Sequence, residues 1–113
     1  MASFEQGDVI RVPFPYTDRS TRQFRPALVV SGPDMQTRYG LLWVVMITSA
    51  ENRSWPDDVP IMRLADTGLP APSVIRPAKI ATIETAQATR LGRVPAELRR
   101  KVMARISQLL KDG

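Results

Sequence analysis

The sequence contains no histidine and no cysteine, and these two absences exclude several kinds of functional site. Without cysteine there can be neither a disulfide framework nor a thiolate zinc site, which fits a reducing compartment. Histidine is the commonest proton-transfer group near pH 7. Its absence excludes a histidine-based nuclease, a Ser-His-Asp hydrolase and a histidine-rich metal site. Any catalysis must therefore use carboxylates, hydroxyls, lysine or arginine.

Long hydrophobic segments are also missing. The longest apolar run, "LLWVVMI" at residues 41–47, is far shorter than the roughly 20 residues needed to span a bilayer. The first ten residues, "MASFEQGDVI", lack the basic segment and long apolar run of a signal peptide. We therefore expect a soluble, cytoplasmic protein with no membrane partner, and the length predicts a single domain over residues 1–113.

Lysine is scarce, whereas arginine is abundant. Only Lys79, Lys101 and Lys111 are present, so 16 − 3 = 13 of the basic residues are arginines. The net charge is +5 and the pI is near 10.4. Because arginine binds phosphate bidentately and stacks on bases, this composition indicates a polyanionic partner. Charge alone leaves open whether that partner is a nucleic acid or an acidic protein.

Most of the chain has the pattern of short β-strands. In "GDVIRVPF" apolar residues alternate with other residues, which is typical of a half-buried strand, and "LLWVVMITS" is apolar on both faces, which predicts a central strand with Trp43 in the core. The glycine and proline of "GPD" predict a turn at residues 32–34. The predicted strands are residues 7–14, 26–31, 41–49, 59–64, and one or two strands over 74–84.

The C-terminal region changes to a helical period. From Pro95 onward, apolar residues recur every four positions, which predicts one amphipathic helix with Pro95 at its first position. These residues are Leu98, Val102, Ile106 and Leu110. Five or more short strands followed by one helix predict a mainly β fold with a small barrel of curved strands, covered by the C-terminal amphipathic helix.

The motifs "GDVIRVPFPYTD", "RPALVVS", a long strand ending in "ITSA", and "SVIRPAKIATIE" occur in this order before the closing helix. In order and spacing they resemble the MazF/PemK family of bacterial toxins from type II toxin–antitoxin systems. The resemblance implies an SH3-like, plasmid-maintenance-toxin barrel that is usually a homodimer. It also implies a sequence-specific endoribonuclease that cuts single-stranded mRNA without a metal or other cofactor. The expected products are a 2′,3′-cyclic phosphate and a 5′-hydroxyl, and the expected effect is growth arrest.

The resemblance also implies the catalytic residues. In the family these are the arginine of the "RP" motif and the hydroxyl residue that closes the next long strand, which here are Arg25 and Thr48. A fixed guanidinium can stabilise the charge that develops on the phosphate, and a threonine hydroxyl can donate to a phosphate oxygen. The sequence leaves open which group takes the proton from the 2′-hydroxyl; Asp18 and Glu84 are the candidates.

Several other residues are candidates for RNA binding. Arg19, Ser20 and Arg22 precede Arg25 in a polar loop and are expected to clamp RNA phosphates, and Lys79 is expected to face the same groove. The family often has an acidic residue and a glutamine where this chain has Ala78 and Lys79, so we expect a different target sequence. Another residue, Trp55, has three interpretations, namely base stacking, a subunit contact or local packing.

Three functions stay open from the sequence. The first is the endoribonuclease, whose partner is expected to be an acidic antitoxin with a disordered tail that folds into the basic groove. The toxin–antitoxin complex is then expected to bind DNA. The second is a toxin of similar fold that inhibits DNA gyrase without enzymatic activity, and the third is a catalytically inactive RNA-binding module. The "RP" and "ITS" motifs favour the first.

Overall fold

The computed structural model describes residues 3–14 and 23–111. The strands in this part are β1 (Asp8–Phe14), β2 (Gln23–Val29), β3 (Leu41–Ser49), β4 (Val59–Ile61), β5 (Ser73–Glu84) and β6 (Thr89–Arg93). The helices are α1 (Pro33–Tyr39), a single 3-10 turn at Thr85–Gln87, and α2 (Ala96–Leu110).

The strands of the described part form one antiparallel sheet in the order β4-β5-β3-β2-β1-β6, which curls into a half-barrel. This confirms the predicted mainly β fold with a C-terminal helix. The longest pairing joins β3 to β5, from Leu41 opposite Glu84 to Ser49 opposite Ser73. β3 lies in the middle of the order, between β5 and β2.

The sheet packs a hydrophobic cluster on each of its two faces. On one face, the β3 residues Val45 and Ile47 are fully buried against Val102 and Ile106 of α2. On the other face, Val44 and its neighbours pack around the N-terminal Phe4. This two-sided burial explains why β3 reads as a continuous apolar run rather than as an alternation.

The residues predicted as one or two strands over 74–84 are one strand with a large bulge. Val45 pairs with Ile80 and the next residue, Met46, pairs with Arg76, so Pro77–Lys79 have no partner on β3. Proline lacks the amide hydrogen that a regular ladder requires, which favours an irregularity at this position. The bulge lets one long strand bend with the curl of the sheet.

Two elements were not predicted from the sequence. The segment 32–34, interpreted as a turn, instead leads into helix α1, which begins at Pro33 and is followed by Gly40 in a left-handed conformation (φ 66°). Strand β6 pairs with β1 and has no apolar alternation. Its Gly92 lies directly against the backbone of Asp66 and Thr67, where a Cβ atom would clash.

Two predictions need correction. Trp43 is in β3, but it is not a core residue, because 48% of its surface is exposed beside the C-terminal end of α2. The strand predicted at residues 59–64 ends at Ile61. The predicted C-terminal helix is confirmed with one small difference, since Pro95 is the residue before the helix rather than its first residue.

Candidate active site

The strands β2 and β3 place Arg25 and Thr48 on the same face of the sheet, just beyond the end of the ladder that joins the two strands. The last pair of this ladder joins Ala27 to Met46. Continuing two residues further in the antiparallel direction gives 27 − 2 = 25 opposite 46 + 2 = 48. Side chains two residues apart on a strand share a face, so Arg25 lies on the face of Ala27 and Val29, and Thr48 lies on the face of Met46 and Val44.

Each of the two residues is held by a well-paired strand. Arg25 is half-buried in β2 and lies opposite Val12 of β1. Thr48 is half-buried in β3 and lies opposite Val74 of β5. Since both strands are paired on their other sides, the guanidinium and the hydroxyl extend from a rigid part of the sheet, which is what a site that works by positioning requires.

A polar side chain from the following loop contacts the Thr48 hydroxyl. The amide nitrogen Nδ2 of Asn52 donates a hydrogen bond to Thr48 Oγ1 at 2.6 Å. Asn52 was not among the predicted site residues. The only sequence signal was the polar stretch "SAEN" directly after β3, which is typical of a turn but does not reveal where the asparagine side chain points.

The predicted RNA-binding residues are only partly described. Arg19, Ser20 and Arg22 lie outside the described residues, as does Asp18. The segment that contains them joins β1 to β2, whose terminal residues Phe14 and Gln23 are paired. Of these two described flanking residues, Gln23 is two residues before Arg25 on β2.

Lys79 is exposed and belongs to the β5 bulge. The bulge lies beside Met46 of β3, which is two residues before Thr48, or roughly 7 Å along the strand. This location is compatible with an RNA-binding surface that continues from the Arg25–Thr48 pair. The role of Lys79 remains a prediction.

Glu84, one of the two candidate bases, does not fit the site. It ends β5 opposite Leu41, which is at the other end of β3 from Thr48. Thr48 is seven positions after Leu41 on β3, a distance of roughly 23 Å along the strand. A general base must be within hydrogen-bond reach of the proton that it removes, directly or through one water. The interpretation of Glu84 as the base is therefore wrong.

The loop between β3 and β4 is attached to the sheet by a buried ion pair. Arg76 of β5 donates from Nε and Nη2 to the carboxylate of Asp58, at 3.1 and 3.0 Å, and from Nη2 to the carbonyl oxygen of Arg53 at 2.8 Å. The Arg76 and Asp58 side chains are only 10% and 8% exposed. A bidentate arginine–carboxylate pair fixes the relative orientation of the two groups as well as their distance, so it holds the loop in one position.

The same ion pair changes the acidity of Asp58. Burial by itself raises the pKa of this carboxyl, but hydrogen bonds from Arg76 and from the backbone of Trp55, with the charge of Arg76, lower it further than burial raises it. The pKa of Asp58 is therefore below its ordinary value of 3.8. The guanidinium of Arg76 also lies over the Trp55 ring, 4.3 Å from its centre. Among the interpretations of Trp55, this contact favours local packing.

The described residues contain no group of three or more acidic side chains, cysteines or histidines that could hold a metal ion. No helix in residues 3–14 and 23–111 is long and apolar enough to cross a membrane.

One known protein family matches almost the whole chain. A sequence profile of the family described as PemK-like, MazF-like toxin of type II toxin–antitoxin system matches residues 5–110. A search of curated proteins finds no significant match.

Solved structures share the fold at low sequence identity. MazF (Form-I) from Deinococcus radiodurans has a TM-score of 0.79 at 21% identity, covering 97% of this chain and 98% of that chain. The MazE-MazF complex (Form-II) from the same organism has a TM-score of 0.76 at 22% identity and full coverage of both chains. An endoribonuclease in complex with its cognate antitoxin, from a mycobacterial species, has a TM-score of 0.74 at 20% identity, with coverages of 97% and 95%.

Proposed function

The chain belongs to the family of PemK-like, MazF-like toxins of type II toxin–antitoxin systems. We therefore propose that it is a metal-independent endoribonuclease that cuts single-stranded RNA, with Arg25 and Thr48 as its catalytic residues. The observation that carries the proposal is the β2–β3 register, which aligns these two residues on one face of the sheet. A guanidinium and a hydroxyl on one face of the sheet supply donors suited to the oxygens of a phosphodiester.

In the proposed reaction, the 2′-hydroxyl of the nucleotide before the cut attacks the adjacent phosphorus atom. The P–O bond to the 5′-oxygen breaks, leaving a 2′,3′-cyclic phosphate on one fragment and a 5′-hydroxyl on the other. The proton lost by the 2′-hydroxyl leaves to a base, and the departing 5′-oxygen gains one.

Arg25 and Thr48 act on the charge rather than on the proton. Arginine stays protonated at pH values far above neutral, so Arg25 stabilises the extra negative charge on the phosphate oxygens as a cation. Thr48 donates its hydroxyl hydrogen to one of the same oxygens. Fixed donors of this kind contribute about 100- to 1,000-fold each to a rate. In-line positioning of the RNA by the predicted RNA-binding residues supplies a further part of the rate enhancement.

We propose an acidic antitoxin as the partner that keeps the enzyme inactive. Two observations support this partner. The chain has a net charge of +5, and similar folds have been solved as MazE-MazF complexes. A disordered acidic tail can bind a basic RNA groove because it reproduces the charge of RNA, and it gains order only on binding.

We also propose that the protein is a homodimer. The exposed side chains Trp43, Ile80 and Leu110 line one groove of about 670 Å³ between the sheet and α2. A contiguous exposed apolar surface of this kind is typical of a protein–protein interface.

The proposal can be tested in cells by controlled expression and mapping of RNA ends that carry a 5′-hydroxyl. Wild type is expected to arrest growth and generate new ends at a short sequence motif. Arg25→Ala and Thr48→Val should do neither, whereas Arg100→Ala, which removes an exposed charge from α2, should behave as wild type. Growth arrest by both site variants without new RNA ends would refute the proposal, and accompanying DNA breaks would instead support gyrase inhibition.

A further inference from the structure

The side chain of Asn52 is fixed next to Thr48 by the turn that follows β3. The backbone amide of Asn52 donates to the carbonyl of Ser49 at 3.1 Å, which closes a four-residue turn. The amide of Glu51 donates to the Ser49 hydroxyl at 3.2 Å. This turn folds the Asn52 side chain back toward the strand, where its Nδ2 donates to Thr48 Oγ1 at 2.6 Å.

The other side of Asn52 is anchored to the sheet. The next residue, Arg53, accepts a hydrogen bond on its carbonyl oxygen from the buried Arg76 of β5. Asn52 thus lies between a closed turn and a backbone carbonyl held by a buried guanidinium. This explains how an exposed asparagine in a loop keeps a defined position at the end of β3.

The direction of this hydrogen bond determines what the Thr48 hydroxyl can do. A hydroxyl has one hydrogen to donate and two lone pairs that can accept. When the Asn52 amide occupies a lone pair, the hydroxyl hydrogen is free to point elsewhere. A hydroxyl that accepts a hydrogen bond also becomes a better donor, because hydrogen bonds in a chain polarise one another.

We propose that Asn52 is a positioning residue for the Thr48 hydroxyl, which it orients so that the hydroxyl hydrogen points at the phosphate held by Arg25. This inference rests on the endoribonuclease function proposed above. Asn52 itself need not contact the RNA, since it acts through Thr48. The opposite arrangement, in which Thr48 donates to the asparagine oxygen, would use up the hydrogen that the reaction requires.

Two substitutions of Asn52 distinguish these arrangements. Asn52→Ala removes the donor and should lower kcat about 10-fold, the size of one hydrogen bond's contribution, with little change in KM. Asn52→Asp offers only acceptors, so the Thr48 hydroxyl should turn toward the carboxylate and kcat should fall further than in Asn52→Ala. Ser54→Asp adds the same charge two residues away on the exposed loop and serves as the control for repulsion of RNA.

The kinetics are measured with a short oligoribonucleotide that carries the site mapped for the wild-type protein. A double-mutant cycle with Thr48→Val shows whether Asn52 acts through Thr48. If it does, Asn52→Ala should cause no further loss of kcat in the Thr48→Val background. Thermal unfolding of each variant checks that the fold is intact, which a surface substitution at Asn52 should leave unchanged.

Each outcome gives a decision. An active wild type whose kcat is unchanged in Asn52→Ala, or whose losses from Asn52→Ala and Thr48→Val simply add, overturns the role of Asn52 but leaves the proposed function intact. Near-wild-type activity of Asn52→Asp overturns the proposed direction of the hydrogen bond and with it the inference. A folded wild type that cuts no RNA overturns both proposals.

Discussion

The substitution Asp58→Ala tests whether the buried ion pair holds the β3–β4 loop in place. It removes the carboxylate that accepts from Nε and Nη2 of Arg76 and leaves this guanidinium, 10% exposed, without its main partner. The backbone amide of Trp55 loses its acceptor on Asp58 as well. Removing one partner of a buried ion pair costs about 3–5 kcal/mol of unfolding free energy. We expect a value near the lower end, because the Trp55 ring that covers Arg76 is itself partly exposed.

A loss of about 3 kcal/mol should lower the Tm of a domain of this size by about 12 °C, at about 4 °C per kcal/mol. The assay is thermal unfolding followed by circular dichroism, with urea unfolding as an independent measurement of the free energy. Glu5→Ala is the matched control, because the Glu5–Arg93 pair is also an acid–arginine contact, at 3.4 Å, but both side chains are more than half exposed. An exposed pair contributes at most about 1 kcal/mol.

A loss in Asp58→Ala no larger than the loss in Glu5→Ala would refute this reasoning. It would mean that the Arg76–Asp58 contact is no stronger than a solvated surface pair. Arg76 would then also be held too loosely to fix the carbonyl of Arg53 beside Asn52.

Four further outcomes are expected. Acidification should destabilise the wild type as the pH falls through the folded-state pKa of Asp58. That pKa lies below the unfolded value, so the unfolded chain binds more protons than the folded chain in this pH range. Asp58→Asn should lose this part of the pH dependence, measured by urea unfolding between pH 2 and 5. Gly92→Ala should cost about 2 kcal/mol of unfolding free energy, because its Cβ meets the backbone of the neighbouring loop. Val102→Ala should cost about 2 kcal/mol by opening a cavity between α2 and the sheet, whereas Lys101→Ala, exposed on the same helix, should change the Tm little. Arg25→Lys should lower kcat by about 10-fold or more although the charge is kept, because lysine lacks the planar fork that matches two phosphate oxygens.

The strands and the main helix could be predicted because their patterns are local. The alternation of β1, the apolar run of β3 and the four-residue period of α2 each depend on the face that an element buries. The exposure of Trp43 could not be predicted in this way. Its position in β3 is local information, but the extent to which α2 covers that face of the strand depends on the packing of residues far apart in the chain.

The sequence of helix α1 contains helix signals, but the glycine and proline of "GPD" favoured a turn instead. A proline in the first turn, Asp34 after it and Gly40 at the end are typical of a short helix. Strand β6 had no usable signal. Its pairing with β1 is supported by the ion pair of Arg90 with the buried Asp8, which are 82 residues apart in sequence.

The candidate site was predicted from family resemblance rather than from local pattern. Nothing in "RPALVVS" or "ITSA" alone indicates that Arg25 and Thr48 share a face, since this depends on the register between β2 and β3. Glu84 was a plausible base from the sequence, but the register between β3 and β5 places it at the other end of β3 from Thr48. Asn52 was missed because its role depends on the direction in which one turn folds back.

The most direct test of the central claim is the chemistry of the RNA product formed by the purified protein in EDTA. The proposal predicts that single-stranded RNA is cut in the absence of free divalent ions and that each cut leaves a 2′,3′-cyclic phosphate and a 5′-hydroxyl, identified by mass spectrometry. The same preparation of Thr48→Val should form this product far more slowly, and Thr48→Ser, which keeps the hydroxyl, should retain part of the activity. Complete loss of cleavage in EDTA that is restored by a divalent ion, or products that carry a 5′-phosphate, would contradict the account.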